Sequence, residues 1–100
     1  MRFEHHIHGA ALHTPDGVMT AIAATLRFPC YFGHNLDALY DSLTDLSWLP
    51  PGEHLLIWSN PGALRAVDPD AYDAITSVLA DAVADGTGGA AALSVLLRPG

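Results

Sequence analysis

Positively charged residues are scarce in this sequence. Lysine and arginine together number 4 against 11 aspartates and glutamates, which leaves a formal net charge of −7 at pH 7. A surface of this sign repels phosphate backbones and anionic lipid headgroups. Direct binding of nucleic acid or of a membrane surface is therefore not expected.

Cysteine is almost absent as well. The single cysteine, Cys30, has no second thiol with which to form an internal disulfide, and zinc sites built from two or more thiolates are excluded. Cys30 is expected to be a small buried hydrophobe rather than a nucleophile, because no spacing typical of a cysteine–histidine pair stands out. Stability must therefore come from packing.

Long apolar runs are also missing. No stretch approaches the roughly 20 apolar residues of a membrane span, and the first residues contain no apolar run of signal-peptide length. We therefore expect a cytoplasmic protein.

The chain has 100 residues, half of them apolar, which suffices for one core but not for two. Residues 1–100 are predicted to form a single domain.

Three segments have the pattern of β-strands. Residues 2–7 alternate, with Phe3, His5 and Ile7 on one face. Residues 55–58 form a continuous apolar run, which is typical of a central strand buried on both faces. Residues 91–97 form a last apolar strand.

Helical segments separate these strands. One begins at the turn Thr14-Pro15-Asp16-Gly17, and two follow a capping residue and a proline, namely Asn60-Pro61 and Asp68-Pro69. These helices should end before Pro29, near residue 66 and at Gly86. A further helix spans residues 35–46. Helices between strands favour an α/β fold with a small parallel sheet, right-handed crossovers and the order βααβααβ.

The helix over residues 35–46 has two chemically different faces. At helical periodicity Asp37, Asp41 and Thr44 share one side, with Tyr40 on its flank. The opposite side carries Leu36, Leu39, Leu43 and Leu46. Two aspartates at i and i+4 repel each other and destabilise such a helix by roughly 0.2–0.5 kcal/mol. This unfavourable pair suggests a partner of opposite charge.

The loop before this helix adds aromatic rings and a glycine. Tyr31 and Phe32 precede Gly33, which lets another backbone come close. Aromatic residues mixed with charges are typical of an interface centre. A solvated helix face is the alternative explanation of the charges. A hydrolase with Asp37 and Asp41 as acid and base is disfavoured, because an exposed helix face buries neither carboxyl.

Two further patterns have structural explanations. His5, His6, His8 and His13 suggest a metal site, but the pair on one strand face does not supply the three or four ligands that zinc requires. Surface histidines are expected instead. The glycines after Asp85 follow a helix and open a strand, the reverse of a phosphate-binding loop. No metal, cofactor or catalytic residue is predicted.

A family resemblance is carried by one continuous segment, Tyr31-Phe32-Gly33-His34-Asn35-Leu36-Asp37-Ala38-Leu39-Tyr40-Asp41-Ser42-Leu43-Thr44. It closely resembles the signature of the barstar family of intracellular inhibitors of secreted guanyl-specific ribonucleases. The resemblance covers most of the chain and implies a three-stranded parallel sheet flanked by helices. It also implies that the protein is an inhibitor rather than an enzyme. The inhibitor is expected to be monomeric when free, to bind one ribonuclease in a 1:1 complex and to need no cofactor.

The resemblance further implies which residues bind the partner. Asp41 stands in the place of the family's dominant electrostatic anchor, and Asp81 matches an acidic contact on a later helix. The family usually has tryptophan where Tyr40 stands and glutamate where Asp81 stands. The family has a further aromatic contact residue just beyond the position of Thr44. In this sequence that residue is either replaced by Leu46 or displaced to Trp48. A barstar-like binding module for a different basic protein is the alternative function. The implied contact set is Tyr31, Gly33, Asn35, Asp37, Tyr40, Asp41, Thr44 and Asp81.

Overall fold

Three parallel strands form the sheet of the computed structural model, and they lie side by side in the order in which they follow one another along the chain. The structure describes residues 2–29, 33, 35–86 and 89–99. Its strands are β1 (Arg2–His8), β2 (Gly52–Ser59) and β3 (Ala91–Arg98). Its α-helices are α1 (Pro15–Thr25), α2 (Leu36–Asp45), α3 (Gly62–Val67) and α4 (Pro69–Asp85), and a 3-10 turn at Gly9–Ala11 follows β1. The predicted order βααβααβ and the central position of β2 are confirmed.

Three of the described α-helices begin at a residue whose side chain caps them, and of the two caps that the sequence predicts, Asp68 is confirmed. Thr14 accepts a backbone N–H three residues later at 3.0 Å, and Asp68 does the same at 3.1 Å. The predicted cap at Asn60 is wrong, because Asn60 takes a left-handed conformation with φ of 53° and α3 has Pro61 at its N-cap. Helix α4 ends at Gly86 as predicted. None of the helices in the described ranges has the length and apolar character to span a membrane.

One face of the sheet packs against the helices and contains the core. Ile7, Leu56, Trp58 and Leu93 are buried on this face. The helical side chains packed with them are Val18, Met19, Ile22, Leu39, Leu43, Leu64, Ile75, Leu79 and Ala82. Removal of this apolar surface from water is the main term that stabilises the fold. The same packing decides which side of each helix is left in solvent.

The other face of the sheet is open at its margins. Leu55 and Ile57 point to this face and are only 8% and 2% exposed. Their neighbours on β1 and β3, among them Glu4, His6 and Leu96, are exposed. The predicted burial of β2 on both faces therefore holds, although its strand neighbours on this face are exposed.

Two histidines form a hydrogen-bonded pair beside the core. His54 is fully buried and His5 is half-buried, and His5 Nε2 lies 2.9 Å from His54 Nδ1. The outer ring nitrogens meet backbone carbonyls, with His5 Nδ1 3.2 Å from Thr25 O and His54 Nε2 2.7 Å from Pro50 O. His5 therefore departs from the expectation that the N-terminal histidines lie at the surface.

The two neutral rings have two N–H groups for these three contacts. If both outer nitrogens donated to their carbonyls, two lone pairs would face each other between the rings. Because the shorter outer contact belongs to His54, we assign His54 Nε2 as the donor to Pro50 O and His5 Nε2 as the donor to His54 Nδ1. Burial above all, and then the nearness of His54, lower the pKa of His5, although the carbonyl of Thr25 acts in the opposite direction.

This pair gives the fold an acid-sensitive stability. The pKa of His5 lies below its ordinary value of 6.5, so the unfolded chain takes up the proton at a higher pH than the folded chain. The contribution of His5 to the free energy of unfolding is fully present above pH 6.5 and is lost as pH falls through the lowered pKa of His5. We expect urea unfolding at several pH values below neutrality to give a falling free energy of unfolding, and His5→Gln to flatten that dependence.

The exposed residue His13 supplies the matched control. His13→Gln should leave the pH dependence unchanged, whereas His5→Gln retains an amide that can donate to His54 but does not ionise. The same pH dependence in the parent and in His5→Gln would contradict the prediction.

Candidate functional site

Helix α2 is fixed at both of its ends. Asn35 is the N-cap, and its Oδ1 accepts the N–H of Ala38 at 2.8 Å. At the other end Leu46 takes a left-handed conformation with φ of 49°, and its N–H donates to Ser42 O at 3.2 Å. Leu46 is also fully buried, so the C-terminal end of the helix is tied to the core.

The buried face of α2 determines the direction of its aspartates. Leu39 and Leu43 are fully buried, but the prediction that Leu36 shares this buried stripe is wrong, because Leu36 is the first helical residue and is 37% exposed. With the two central leucines inward, Asp37 and Asp41 are exposed on the opposite side. The two-faced helix predicted from the sequence is therefore present, apart from Leu36.

Tyr40 connects α2 to α4. Its ring packs against the core, and its hydroxyl donates to a carboxylate oxygen of Asp85, the last residue of α4. Asp81 is exposed one turn earlier on the same helix. Two helices thus contribute to one surface. We call it the acidic surface, and it consists of Asp37, Tyr40, Asp41, Thr44, Asp81 and Asp85.

The carboxylates of the acidic surface act together on the Tyr40 hydroxyl. The hydrogen bond to Asp85 is the largest of the effects that raise the pKa of Tyr40 above its ordinary value of 10.0. Burial follows, and then the negative charges of Asp85, Asp81 and Asp41. Tyr40 is therefore protonated at neutral pH. Asp41 and Asp81, which the sequence predicts on different helices, influence the same hydroxyl group.

The charges of this surface have no ion-pair partner among the residues that the structure describes. Among the described residues, the one close ion pair joins His6 and Glu4 on β1, at 3.4 Å. No cationic side chain of the described ranges stands beside the carboxylates on α2 and α4. The acidic surface therefore keeps its negative field available to a partner.

The polar atoms of the surface are mainly acceptors. Carboxylates accept hydrogen bonds, and the Tyr40 proton is already donated to Asp85. The Thr44 hydroxyl donates to the Tyr40 carbonyl at 2.9 Å and also lies 3.2 Å from the Asp41 carbonyl, so toward a partner it too presents lone pairs. A surface of this kind is complementary to guanidinium and ammonium groups, which only donate.

A comparison with family models decides the assignment. The model described as Barstar (barnase inhibitor) matches residues 2–98. The chain belongs to the barstar family. Barstar-family proteins are ribonuclease inhibitors and not enzymes, so the predicted family, fold and inhibitor function are confirmed. A search of curated proteins gives no match.

Most of the residues implied by the barstar signature have a described position. Tyr31 lies outside the described residues, as do Cys30, Phe32 and His34 of the same segment. Gly33 is exposed, and a Cβ at this position would stand 3.5 Å from Asn35 Nδ2, an ordinary contact. No close contact with the described residues therefore requires glycine at this position.

The two candidates for the displaced barstar-family aromatic have different positions. Leu46 is fully buried and is not available at the surface. Trp48 is half-buried, its Nε1 donates to Leu26 O at 2.8 Å, and its ring meets Phe28 edge-on at 5.9 Å between centroids. Of the two, Trp48 keeps part of its ring accessible, although its N–H is used within the fold.

The other chemistries suggested by the sequence find no supporting geometry. The described residues contain no group of three or more histidine, cysteine or acidic side chains able to hold a metal ion. Of the N-terminal histidines, His6 pairs with Glu4 on the exposed strand face, whereas His5 faces His54 on the opposite side. Asp37 and Asp41 are both open to solvent, so neither has the desolvated setting of a general acid.

Asp85 is the member of the acidic surface that the sequence interpretation missed. The sequence pattern places Asp85 only at the end of a helix, before Gly86. A useful signal was present in the spacing, because Asp81 and Asp85 repeat on α4 the i, i+4 arrangement of Asp37 and Asp41 on α2. That Asp41, Asp81 and Asp85 all act on the Tyr40 hydroxyl is a property of the α2–α4 packing.

The N-cap of α2 gives a direct test of how the site is held. Asn35→Ala removes the Oδ1 acceptor and should lower the free energy of unfolding by about 1 kcal/mol, whereas Asn35→Asp keeps a capping oxygen and should preserve most of it. Urea denaturation of the two variants and the parent provides the measurement. Equal losses in both variants would show that the cap does not hold this helix.

Proposed function

We propose that this protein inhibits a secreted guanyl-specific ribonuclease by covering its active site with the acidic surface in a 1:1 complex. A barnase-type ribonuclease partner follows from the family. The guanyl specificity, the stoichiometry and the contact residues are the proposal. The observation that carries it is the group of unneutralised carboxylates from two helices around Tyr40.

The chemistry of RNA cleavage explains why such a surface inhibits. A ribonuclease holds a phosphodiester and stabilises additional negative charge in the transition state, which requires cationic donors in its active site. Carboxylates placed where phosphates bind accept charge-assisted hydrogen bonds from those donors. RNA is then excluded both by the volume of the inhibitor and by its charge.

The rigidity of the surface supports tight binding. The face of α2 opposite Asp41 is held by Leu39 and Leu43, and the corresponding face of α4 by Ile75 and Leu79, all of them buried. The helices therefore present their carboxylates with little backbone freedom to lose on association. Tyr40, half-buried between them, supplies an aromatic centre that helps to exclude water.

The net charge supports rapid association. At −7 the whole molecule attracts a basic partner before contact, and this attraction raises the association rate most at low ionic strength. Inhibition should consequently weaken as salt is added, because screening reduces the long-range attraction.

The position of Asp41 supports its role as the main anchor. Its charge acts on the Tyr40 hydroxyl together with those of Asp81 and Asp85, at the junction of the two helices. Asp37 lies one turn away, in the first turn of α2. A cation bound beside Asp41 is therefore within the field of several carboxylates, which favours the ranking implied by the family resemblance.

The domain organisation, the location and the oligomeric state of the protein form part of this proposal. The match over residues 2–98 supports one barstar-like domain across residues 1–100. We further infer a cytoplasmic location and a monomeric free state, since an inhibitor of this kind protects the producing cell from its own nuclease before the nuclease is exported.

Titration of guanyl-specific ribonucleases from several bacteria tests the function. With RNA cleavage followed at low and moderate salt, we expect activity to be lost at an equimolar end point and inhibition to weaken with salt. If a large excess leaves every nuclease active, the ribonuclease proposal fails, and a barstar-like module for another basic protein takes its place.

Alanine variants test the contact residues. Asp41→Ala should weaken binding most, by about thirtyfold or more, with Asp37→Ala and Asp81→Ala following. Asp16→Ala, at the start of α1, is the distant control and should have little effect. Affinities come from inhibition curves, after circular dichroism has shown that each variant is folded. Small and equal effects at all four positions would contradict the assignment.

Substitution of Gly33 tests whether glycine at this position is needed for binding or for folding. Because a Cβ at Gly33 makes only an ordinary contact, Gly33→Ala should change the free energy of unfolding by no more than about 0.5 kcal/mol. Affinity for the ribonuclease should nevertheless fall, because the added methyl group lies where the partner backbone approaches. Unchanged affinity would remove Gly33 from the contact set.

A further inference from the structure

We propose that Asp85 is a positioning residue that holds Tyr40 and thereby joins the acidic carboxylates of α2 and α4 into one rigid recognition surface. This inference rests on the proposed function, since it concerns the same surface. It adds a residue outside the predicted contact set and gives it a role different from that of a charged contact.

The Tyr40–Asp85 bond is unusual among the polar contacts of the fold. In the described part of the chain, side chain–side chain hydrogen bonds occur at two places, the His5–His54 pair and this bond. It joins residues 45 positions apart and spans the α2–α4 packing. The buried leucines set the distance between the helices, and this bond sets the direction of the aromatic ring between them.

The stability of α4 does not explain an aspartate at position 85. Asp85 is the last residue of the helix, where the backbone carbonyls already form the negative end of the helix dipole. Asp81 stands one turn earlier on the same helix, so the two like charges also repel. The hydrogen bond with Tyr40 offsets these unfavourable interactions of the Asp85 carboxylate. An aspartate at this position therefore serves the acidic surface rather than the stability of the helix.

The bond also determines what Tyr40 offers to a partner. Because the phenol donates its proton to Asp85, its oxygen presents only lone pairs outward. The ring is held against the core at one side and by Asp85 at the hydroxyl. A partner with arginine or lysine therefore meets an aromatic edge already in place, and less side-chain freedom is lost on binding.

Three variants separate positioning from charge. Asp85→Asn keeps an acceptor for the Tyr40 hydroxyl but removes the charge, Asp85→Ala removes both, and Tyr40→Phe removes the bond but keeps the ring. A variant in which Tyr40 is no longer held in place should dissociate faster from the ribonuclease. A variant that loses only the charge of Asp85 should associate more slowly, and its association rate should depend less on salt.

The kinetic test uses the ribonuclease that the titration identifies. Asp85→Ala and Tyr40→Phe should each raise the dissociation rate about threefold to tenfold, and the double variant should be no worse than either single variant. Asp85→Asn should leave the dissociation rate near that of the parent and slow association at low salt. Additive effects of Asp85→Ala and Tyr40→Phe would overturn the positioning role.

A second readout uses the free protein alone. Absorbance titration of the tyrosines should show Tyr40 ionising above its ordinary pKa of 10.0, a transition that Tyr40→Phe removes. Asp85→Ala should move this transition toward the ordinary value, because it removes the largest cause of the raised pKa. If Asp85→Ala leaves the Tyr40 transition unchanged, the bond does not hold the ring and the proposal is overturned.

The two readouts distinguish the two possible failures. Absence of inhibition of any ribonuclease, with a normal Asp85-dependent Tyr40 transition, would refute the proposed function and the positioning role within it, while leaving the bond established. Inhibition with an Asp85-independent transition would refute the positioning role alone.

Discussion

The packing of α2 against the core is the constraint on which the acidic surface depends. Leu39 and Leu43 are fully buried, and Leu46 is buried beyond the helix end. With these side chains inward, Asp37 and Asp41 have no direction available except toward solvent. The hydrophobic effect thus places the charges, although it makes no contact with them. A change that rotated this helix by a fraction of a turn would disperse the surface while leaving its composition intact.

The surface formed in this way is electrostatically unfavourable in the free protein. Like charges stand at i and i+4 on both helices, and no cationic side chain of the described ranges compensates them. The fold tolerates this because the helices are held by buried apolar area and by caps such as Asn35 and Asp68. Binding of a basic partner relieves the repulsion, so the same charges that weaken the isolated molecule favour the complex.

The two side chain–side chain hydrogen bonds among the described residues have different roles. The His5–His54 pair ties β1 and β2 to backbone carbonyls beside them and makes stability depend on pH. The Tyr40–Asp85 bond joins the two helices that carry the aspartates. The His5–His54 bond therefore affects how stability responds to acid, whereas the Tyr40–Asp85 bond lies within the acidic surface.

The sequence by itself determined the elements, their order, the two faces of α2 and the family, because apolar periodicity, capping pairs and a continuous signature are local properties of the chain. It failed at Asn60, whose left-handed backbone depends on its surroundings, and at Leu36. Only the tertiary structure decided that His5 meets His54 and that Asp85 meets Tyr40. Both pairs join residues more than 40 positions apart, and such contacts are set by how elements pack rather than by any local spacing.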